Sequence, residues 1–374
     1  AIENNGTLVK AFDTKEEKEI AIECDYIVMA AGSKKNILDV DGIETPQEAI
    51  LEDAIVTSMP QRLLRYHYRS RYENLVAFSN SRYYHGEIVT FPGCDTRVKG
   101  VESIYVEDGC YDRGGARNNQ KEAERVLALI SEIYAELPED TTETLGVITF
   151  NLEQMKLIRS MIHQAICDNH PQRHIMENLI DVVNLEACQG KEWDRTILST
   201  AYGPDADGNF SSNLGPMTRD DGGNRLNVMI TRSRKHLYVV TSMTPEMFGE
   251  ATKAGTRDLK DFLAFAKGDL VLDSRVIGAD KDSQGMEAAI VEYLENKGYI
   301  VHTHIGSSTC KVDIGVVAED GVSYRLGILL DHFDDADYNV RDHEILIPGL
   351  LESKGWKLYR LHAMNWYANA VREL

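Results

Sequence analysis

Between about residues 58 and 245, short apolar runs alternate with segments of helical period. Residues 145–150 (Leu-Gly-Val-Ile-Thr-Phe), 180–185, 196–200 and 237–240 are continuous apolar runs of strand length. Residues 152–167 repeat their apolar positions every three or four residues, the period of a helix with one buried face. Strands that are apolar on both faces and alternate with helices predict a mostly parallel sheet covered on both sides. Residues 202–223 are rich in Gly, Asp, Asn and Ser and read as a long surface loop, a length often tied to function or mobility. A second unit begins near residue 283. A helix over 283–297 precedes strands at 299–303, 312–317 and 324–330, a further helix runs to 355, and 356–361 is a last strand. Residues 1–57 contain one strand-like run, 26–30, and read as the remnant of a preceding domain or a linker. The assignment is therefore 1–57 remnant, 58–245 first domain, 246–282 helical linker and 283–374 second domain, with no internal repeat.

With 374 residues, the chain is long enough for two cores, and 43% hydrophobic with 27% charged residues is an ordinary globular composition. A formal net charge of -20 argues against a uniformly basic nucleic-acid binder, but not against a groove that grips a phosphate backbone locally. The six cysteines (Cys24, Cys94, Cys110, Cys167, Cys188, Cys310) are scattered without a CxxC pair, so neither zinc nor disulfides are expected and a reducing cytoplasm fits. No apolar run is long enough for a membrane span and no signal peptide is visible, so no membrane partner is expected. The first residue is Ala1 rather than Met, which suits a piece of a longer protein.

The densest candidate chemistry is the run from Gly223 to Arg234. At a helical period Arg225 and Arg232 share a face, while Leu226, Met229 and Ile230 form a neighbouring apolar face that leads into the strand at 237–240. A packed helix can hold guanidinium groups rigidly at a domain edge, where their permanent charge suits a transferring phosphoryl group. Solvated surface arginines are the alternative. Two further runs bear on the choice: Glu186-Ala187-Cys188-Gln189-Gly190-Lys191-Glu192-Trp193-Asp194 and, upstream, Leu64-Arg65-Tyr66-His67-Tyr68-Arg69-Ser70-Arg71.

In order and spacing, the three runs resemble motifs IV, V and VI of superfamily 1 helicases, which belong to the second RecA-like domain. The resemblance covers roughly residues 58–242 and includes Tyr111-Asp112-Arg113-Gly114-Gly115, Asn118 and Asn119, and Glu122-Ala123 at the start of a helix. It implies that Arg69 and Arg232 sense phosphate, with Arg225 on the same nucleotide side. Gln189 and Gly190 would couple nucleotide state to the nucleic-acid strand, and Glu192 would lie near the ribose or metal. Glu192 and Asp194 could equally form a capped turn, Tyr66 and His67 read as packing, and Trp193 as core rather than a base-stacking residue. Single-stranded DNA would cross the top of the sheet. The sequence contains neither a GxxxxGK(S/T) phosphate cradle nor an apolar run ending in Asp-Glu. ATP with Mg²⁺ would therefore require an upstream RecA-like domain, in cis or on another chain, and this chain alone is not expected to hydrolyse ATP.

The last unit carries Ser283-Gln284-Gly285-Met286-Glu287, Lys311-Val312-Asp313-Ile314-Gly315, Gly327-Ile328-Leu329-Leu330-Asp331, Val340-Arg341-Asp342-His343 and Gly355-Trp356-Lys357-Leu358-Tyr359-Arg360-Leu361, with Trp366 closing it. It resembles restriction-endonuclease-like modules related to very-short-patch-repair endonucleases, found at the C-terminus of some bacterial superfamily 1 helicases. The resemblance implies a metal-dependent phosphodiester hydrolase in which Glu287, Asp313 and an acid on the next strand hold Mg²⁺ or Mn²⁺. The usual acid of that strand is replaced by Leu329. Asp331 or His332 are the possible stand-ins, Asp334, Asp335 and Asp337 are either a rescue cluster or a solvated loop, and Leu329→Glu is expected to raise metal affinity if the rest of the site is intact. The expected fold is thus α/β, a RecA-like parallel-sheet domain followed by a smaller restriction-endonuclease-like α/β domain. The expected function is the C-terminal part of an ATP-dependent DNA helicase-nuclease. The alternative is a non-catalytic DNA- or protein-binding module built from degenerate domains.

Overall fold

The structure is a computed structural model that describes residues 2–3, 8–13, 18–23, 64–95, 99–219, 221–250, 253–270, 284–331 and 340–373. The chain divides into two compact units, Ala1–Leu64 and Arg65–Leu374. In the first unit, strands β1 (Ile2–Glu3), β2 (Leu8–Asp13) and β3 (Lys18–Glu23) form an antiparallel sheet in that order. The strand expected at 26–30 lies outside the described residues.

The second unit opens with α1 (Asn74–Tyr83) and then builds a five-stranded sheet from β4 (Val101–Tyr105), β5 (Leu145–Thr149), β6 (Ile180–Asn184), β7 (Trp193–Ser199) and β8 (Ser233–Thr241). Its order is β4-β8-β7-β5-β6 and every neighbouring pair is parallel. All five residues of β5 are buried, as a central strand covered on both faces requires. One face carries α2 (Gln120–Glu136), α3 (Leu152–Cys167) and α4 (Arg173–Asn178), whose Ala123, Val126, Ile130, Ile158 and Ile162 share a core with Val147 and Ile197. The starts of α2 and α3 are set by Asn119 and Asn151, whose side chains accept the amide hydrogens of Glu122 and Gln154.

The other face carries α1, α5 (Gly222–Ile230) and α6 (Ala254–Lys267). Here the structure differs from the sequence reading. The stretch expected to link the domains contributes Leu259, Phe262 and Leu263 of α6 to the same core as Phe78 and Leu226, so α6 is a layer of the first domain. The polar run before α5 is not a free surface loop either: Leu214 and Met217, at a short 3₁₀ turn, are fully buried and pin it to that core.

The smaller domain has α7 (Gln284–Asn296), β9 (Val301–Ile305), β10 (Val312–Val317), β11 (Tyr324–Leu330), α8 (Ile347–Ser353), β12 (Leu358–Leu361) and α9 (Ala363–Glu373). Its mixed sheet runs β12-β11-β10-β9, antiparallel except for the parallel β11–β12 pair. Met286 and Ile290 of α7 share one core with Ile314, Ile328 and Leu330. A second core joins Val312, Leu329, Leu351 and Trp356 to Phe91, a residue from the segment just after α1. Trp356 Nε1 donates to Pro92 O at 2.8 Å, and Tyr324 N donates to Cys94 O at 2.9 Å, so residues 65–95 lie against the smaller domain. The fold is the expected one, a parallel RecA-like sheet followed by a smaller mixed α/β domain. Among the described residues, no helix is long and apolar enough to cross a membrane.

Candidate functional site

Three sequence runs meet where β7 and β8 begin. Trp193 N donates to Arg232 O at 3.1 Å, and Arg71 N donates to Arg234 O at 2.7 Å, which ties residues 186–194, 223–234 and 65–71 together by main chain. The turn before β7 pivots on Gly190, exposed and at φ +77°, a left-handed conformation that glycine adopts without a steric penalty. Gln189 beside it is also exposed. Glu192 pairs with Arg69 at 3.0 Å and lies 3.8 Å from Arg234. The structure thus brings Arg69, Glu192 and Arg232 to one corner and adds Arg234.

Arg232 stands apart chemically from its neighbours. Its Nε donates to Val228 O at 2.7 Å and its Nη1 to Lys191 O at 3.1 Å, and among the described residues no carboxylate forms an ion pair with it. Burial, reinforced by the charge of Arg69, pulls its pKa below the ordinary arginine value, although Cys188, Glu192 and Tyr84 oppose this. This half-buried guanidinium is oriented by main-chain carbonyls, with Glu192 near but not ion-paired to it, so its charge remains available to an anion.

Arg225 is different, and here the expected arginine stripe is corrected. Helix α5 ends at Ile230, so Arg232 lies in the turn beyond it rather than on its face. Arg225 is on the helix but is already neutralised by Asp221, at 3.0 Å from Nε and 2.6 Å from Nη2, and by an ion pair with Glu186. Asp194 serves the local structure: it accepts from Thr144 N at 3.0 Å and pairs with Arg234 at 3.3 Å. Burial raises its pKa, but the Thr144 hydrogen bonds and the charges of Lys235 and Arg234 outweigh that and hold it below the usual range. Trp193 is 6% exposed and packs in the core, Tyr66 meets Phe91 edge-on, and burial with the charges of Arg69 and Lys354 pushes His67 down to about 4.

At the opposite ends of the strands, Glu122 is fully buried and ties β7 to β8. It accepts from Ser199 Oγ at 2.9 Å, Thr200 Oγ1 at 3.1 Å, Ala201 N at 2.8 Å, and Ser242 N and Oγ at 2.8 and 3.0 Å. Burial outweighs these bonds and pushes its carboxyl up to about 7. The nearby turn places Arg113 and Arg117 in solvent, while Asp112 accepts from Gly115 N at 3.0 Å and Ala116 N at 2.7 Å.

Among the described residues of the smaller domain, the carboxylates assigned to a metal meet different partners. Glu287 lies 3.1 Å from His304, and Asp313 Oδ2 accepts from Leu330 N at 2.7 Å. Asp331 sits instead with Glu344 and His362, their ligand atoms within 4.8 Å of one another. Arg360 reaches Asp331 at 3.4 Å and Glu344 at 3.1 Å, so a cation already balances that group. Leu329, 5% exposed, is in the core shared with Phe91. Among the described residues, the group with ligand atoms within 4.8 Å of one another is thus Asp331, Glu344 and His362, without Glu287 and Asp313, and the strand position between Ile328 and Leu330 is apolar. His332, Asp334, Asp335 and Asp337 lie outside the described residues. Sequence reasoning missed Arg234, although its place two residues after Arg232 marked it, and Lys354, described below.

A family model described as an AAA domain matches residues 47–244, more than half of the chain. The chain belongs to this AAA family. A second model, REase_MTES_1575, matches residues 286–374, the smaller domain. An "uncharacterized ATP-dependent helicase MG140 homolog" of Mycoplasma pneumoniae is 31% identical over 219 residues, 55% of this chain and 18% of that protein. The corresponding "uncharacterized ATP-dependent helicase MG140" of Mycoplasma genitalium is 30% identical over 218 residues, again 55% of this chain and 18% of the relative. A mouse protein named "5'-3' DNA helicase ZGRF1" is 25% identical over 236 residues, 59% of this chain and 12% of its own length. The chain spans less than a fifth of these relatives. The AAA domain and the nuclease-like domain thus correspond to the two domains of the fold.

Proposed function

We propose that this chain is the arginine-bearing RecA-like half of an ATP-dependent DNA helicase, carrying a nuclease-like domain that does not cut. ATP and its Mg²⁺ bind between this AAA domain and an upstream RecA-like domain that bears the phosphate cradle. Arg232 carries the reading: a guanidinium held by two main-chain carbonyls and, among the described residues, in no ion pair can meet the charge that develops on the transferring phosphoryl group with little reorganisation. Arg69, paired with the exposed Glu192, adds a second positive group at the same corner. Glu192 can exchange Arg69 for a ribose hydroxyl or a metal-bound water when the cleft closes. Gln189 and Gly190 form the turn that would relay closure to the strand, and Arg225 acts as an anchor of α5 rather than a nucleotide ligand. DNA as the polymer acted on is supported by the name of the mouse relative and by the exposed Arg113 and Arg117 beside the strand ends.

The test is Arg232→Ala in the protein with its upstream domain. Turnover of ATP should fall about 100-fold or more, the scale of losing one charge-stabilising donor, while folding is retained. Near-normal turnover would remove the reading. Absence of cutting is supported by Leu329 and the dispersed acids. End-labelled DNA should survive with Mg²⁺ or Mn²⁺ as it does with EDTA, and cleavage that disappears in Asp313→Asn would overturn that part.

A further inference from the structure

The nuclease-like domain reaches the arginine corner through one side chain. Lys354 follows the last residue of α8 and is 6% exposed. Its Nζ donates to Tyr68 O at 3.0 Å and also to Ser70 O, the carbonyls immediately before and after Arg69. Burying an ammonium is costly unless its donors find acceptors, and here main-chain oxygens of the AAA domain take two of the three. Desolvation, with the charge of Arg71, pulls its pKa down to about 8 against the opposing Glu73, so the cation is retained at a real cost. An apolar side chain would fill the space without that cost. The cation does what a hydrocarbon could not: it fixes the direction of two peptide groups.

Arg69 itself is weakly restrained. Its ion pair with Glu192 involves side chains 44% and 40% exposed, and such pairs contribute little to holding a geometry. The backbone on either side must therefore set where the guanidinium points. The same segment is fastened to the nuclease-like domain at further points: Glu73 accepts from Ser307 N at 3.2 Å and Ser307 Oγ at 2.9 Å, and Ser308 Oγ donates to Thr90 O at 2.9 Å. Phe91 packs in the core that contains Leu329, at the position where the resembling nucleases place an acid. The side of the sheet that carries Leu329 is thus the one that holds the segment.

We infer that Lys354 is a positioning residue for Arg69, so that docking of the nuclease-like domain sets the aim of an arginine that the AAA domain presents to nucleotide. The inference rests on the reading of Arg69 as a nucleotide-facing group. It makes the nuclease-like domain a structural regulator of the motor.

The test uses the full-length protein with its upstream domain, saturating single-stranded DNA, and four variants: Arg69→Ala, Lys354→Met, Lys354→Gln and the double Arg69→Ala/Lys354→Met. Lys354→Met should lower kcat for ATP about tenfold, within the range that small misplacements of a reacting group produce, with KM little changed. The double variant should turn over no more slowly than Arg69→Ala alone, since the lysine acts through the arginine. Lys354→Gln, which keeps a polar donor and tests the same step if the methionine variant does not fold, should lie between wild type and Arg69→Ala. Wild-type kcat in a folded Lys354 variant, or a double variant slowed by the product of the two single effects, would overturn the inference. Wild-type turnover in Arg69→Ala would instead sink the nucleotide reading of Arg69 beneath it.

Discussion

Replacing Leu329 by Glu restores the residue type that the resembling nucleases place on this strand, and the structure gives the outcome a sign. Leu329 is 5% exposed among Phe91, Val312, Leu351 and Trp356. Losing its apolar contacts costs about 2–5 kcal/mol by analogy with leucine truncations in other cores. The new carboxylate would enter this apolar core, and Asp313, whose Oδ2 accepts from the amide N of the next residue, Leu330, is a carboxyl and offers it no cation. Arg360 is opposite Leu329 on β12, but its guanidinium already serves Asp331 and Glu344. A buried, unpaired carboxylate adds a penalty of similar size, so a loss of about 4 kcal/mol is a conservative expectation. Against a typical domain stability of about 5–15 kcal/mol, that is enough to loosen the nuclease-like domain. Urea denaturation of wild type, Leu329→Glu and the volume-conserving Leu329→Met should give a sharply lowered midpoint for the glutamate alone. Mg²⁺ or Mn²⁺ should not restore it. A glutamate variant as stable as wild type, or one whose midpoint rises in metal above that of wild type, would refute the packing account and revive the nuclease.

Glu122 gives a pH prediction with the opposite sign from most carboxylates. Its carboxyl is raised from 4.5 to about 7 in the fold, so between those values the native state holds a proton that the unfolded chain has released. Its stabilising contribution is complete below pH 4.5 and declines as pH rises through 7, by up to about 3 kcal/mol. The stability difference between wild type and Glu122→Gln should follow that course across pH 4.5–7.5, and a difference independent of pH would show that the carboxyl is not desolvated as described. At Gly146, a Cβ would lie 2.2 Å from the Trp193 ring, so Gly146→Ala should lower stability by roughly 1–3 kcal/mol in thermal or urea unfolding. An unchanged midpoint there would mean that Trp193 is not packed against β5.

The parallel sheet was legible because its strands are buried on both faces and therefore apolar without interruption, as 145–149 and 237–240 are. Helix α3 was legible because the apolar positions of 152–167 repeat at helical spacing, and its observed bounds are Leu152–Cys167. The arginine corner was legible by residue type but not by geometry. Helical period alone could not show that α5 stops at Ile230, because the seven-residue spacing of Arg225 and Arg232 fits a longer helix equally well. Assignment of α6 failed for a related reason: its charged residues suggest a linker, while Leu259, Phe262 and Leu263 face a core assembled from distant elements. Lys354 carried no local signal at all. Its role depends on carbonyls of Tyr68 and Ser70, more than 280 residues earlier, and main-chain oxygens leave no mark in a side-chain pattern.

The central claim is that this chain contributes arginines to a nucleotide site completed by another RecA-like domain. The most direct measurement is the rate of DNA-stimulated ATP hydrolysis by the upstream phosphate-cradle domain alone, by this chain alone, and by the two joined. The account predicts turnover only when both are present, with Arg69→Ala and Arg232→Ala each suppressing it in the joined protein. Hydrolysis by this chain alone, or an upstream domain equally active without it, would contradict the account.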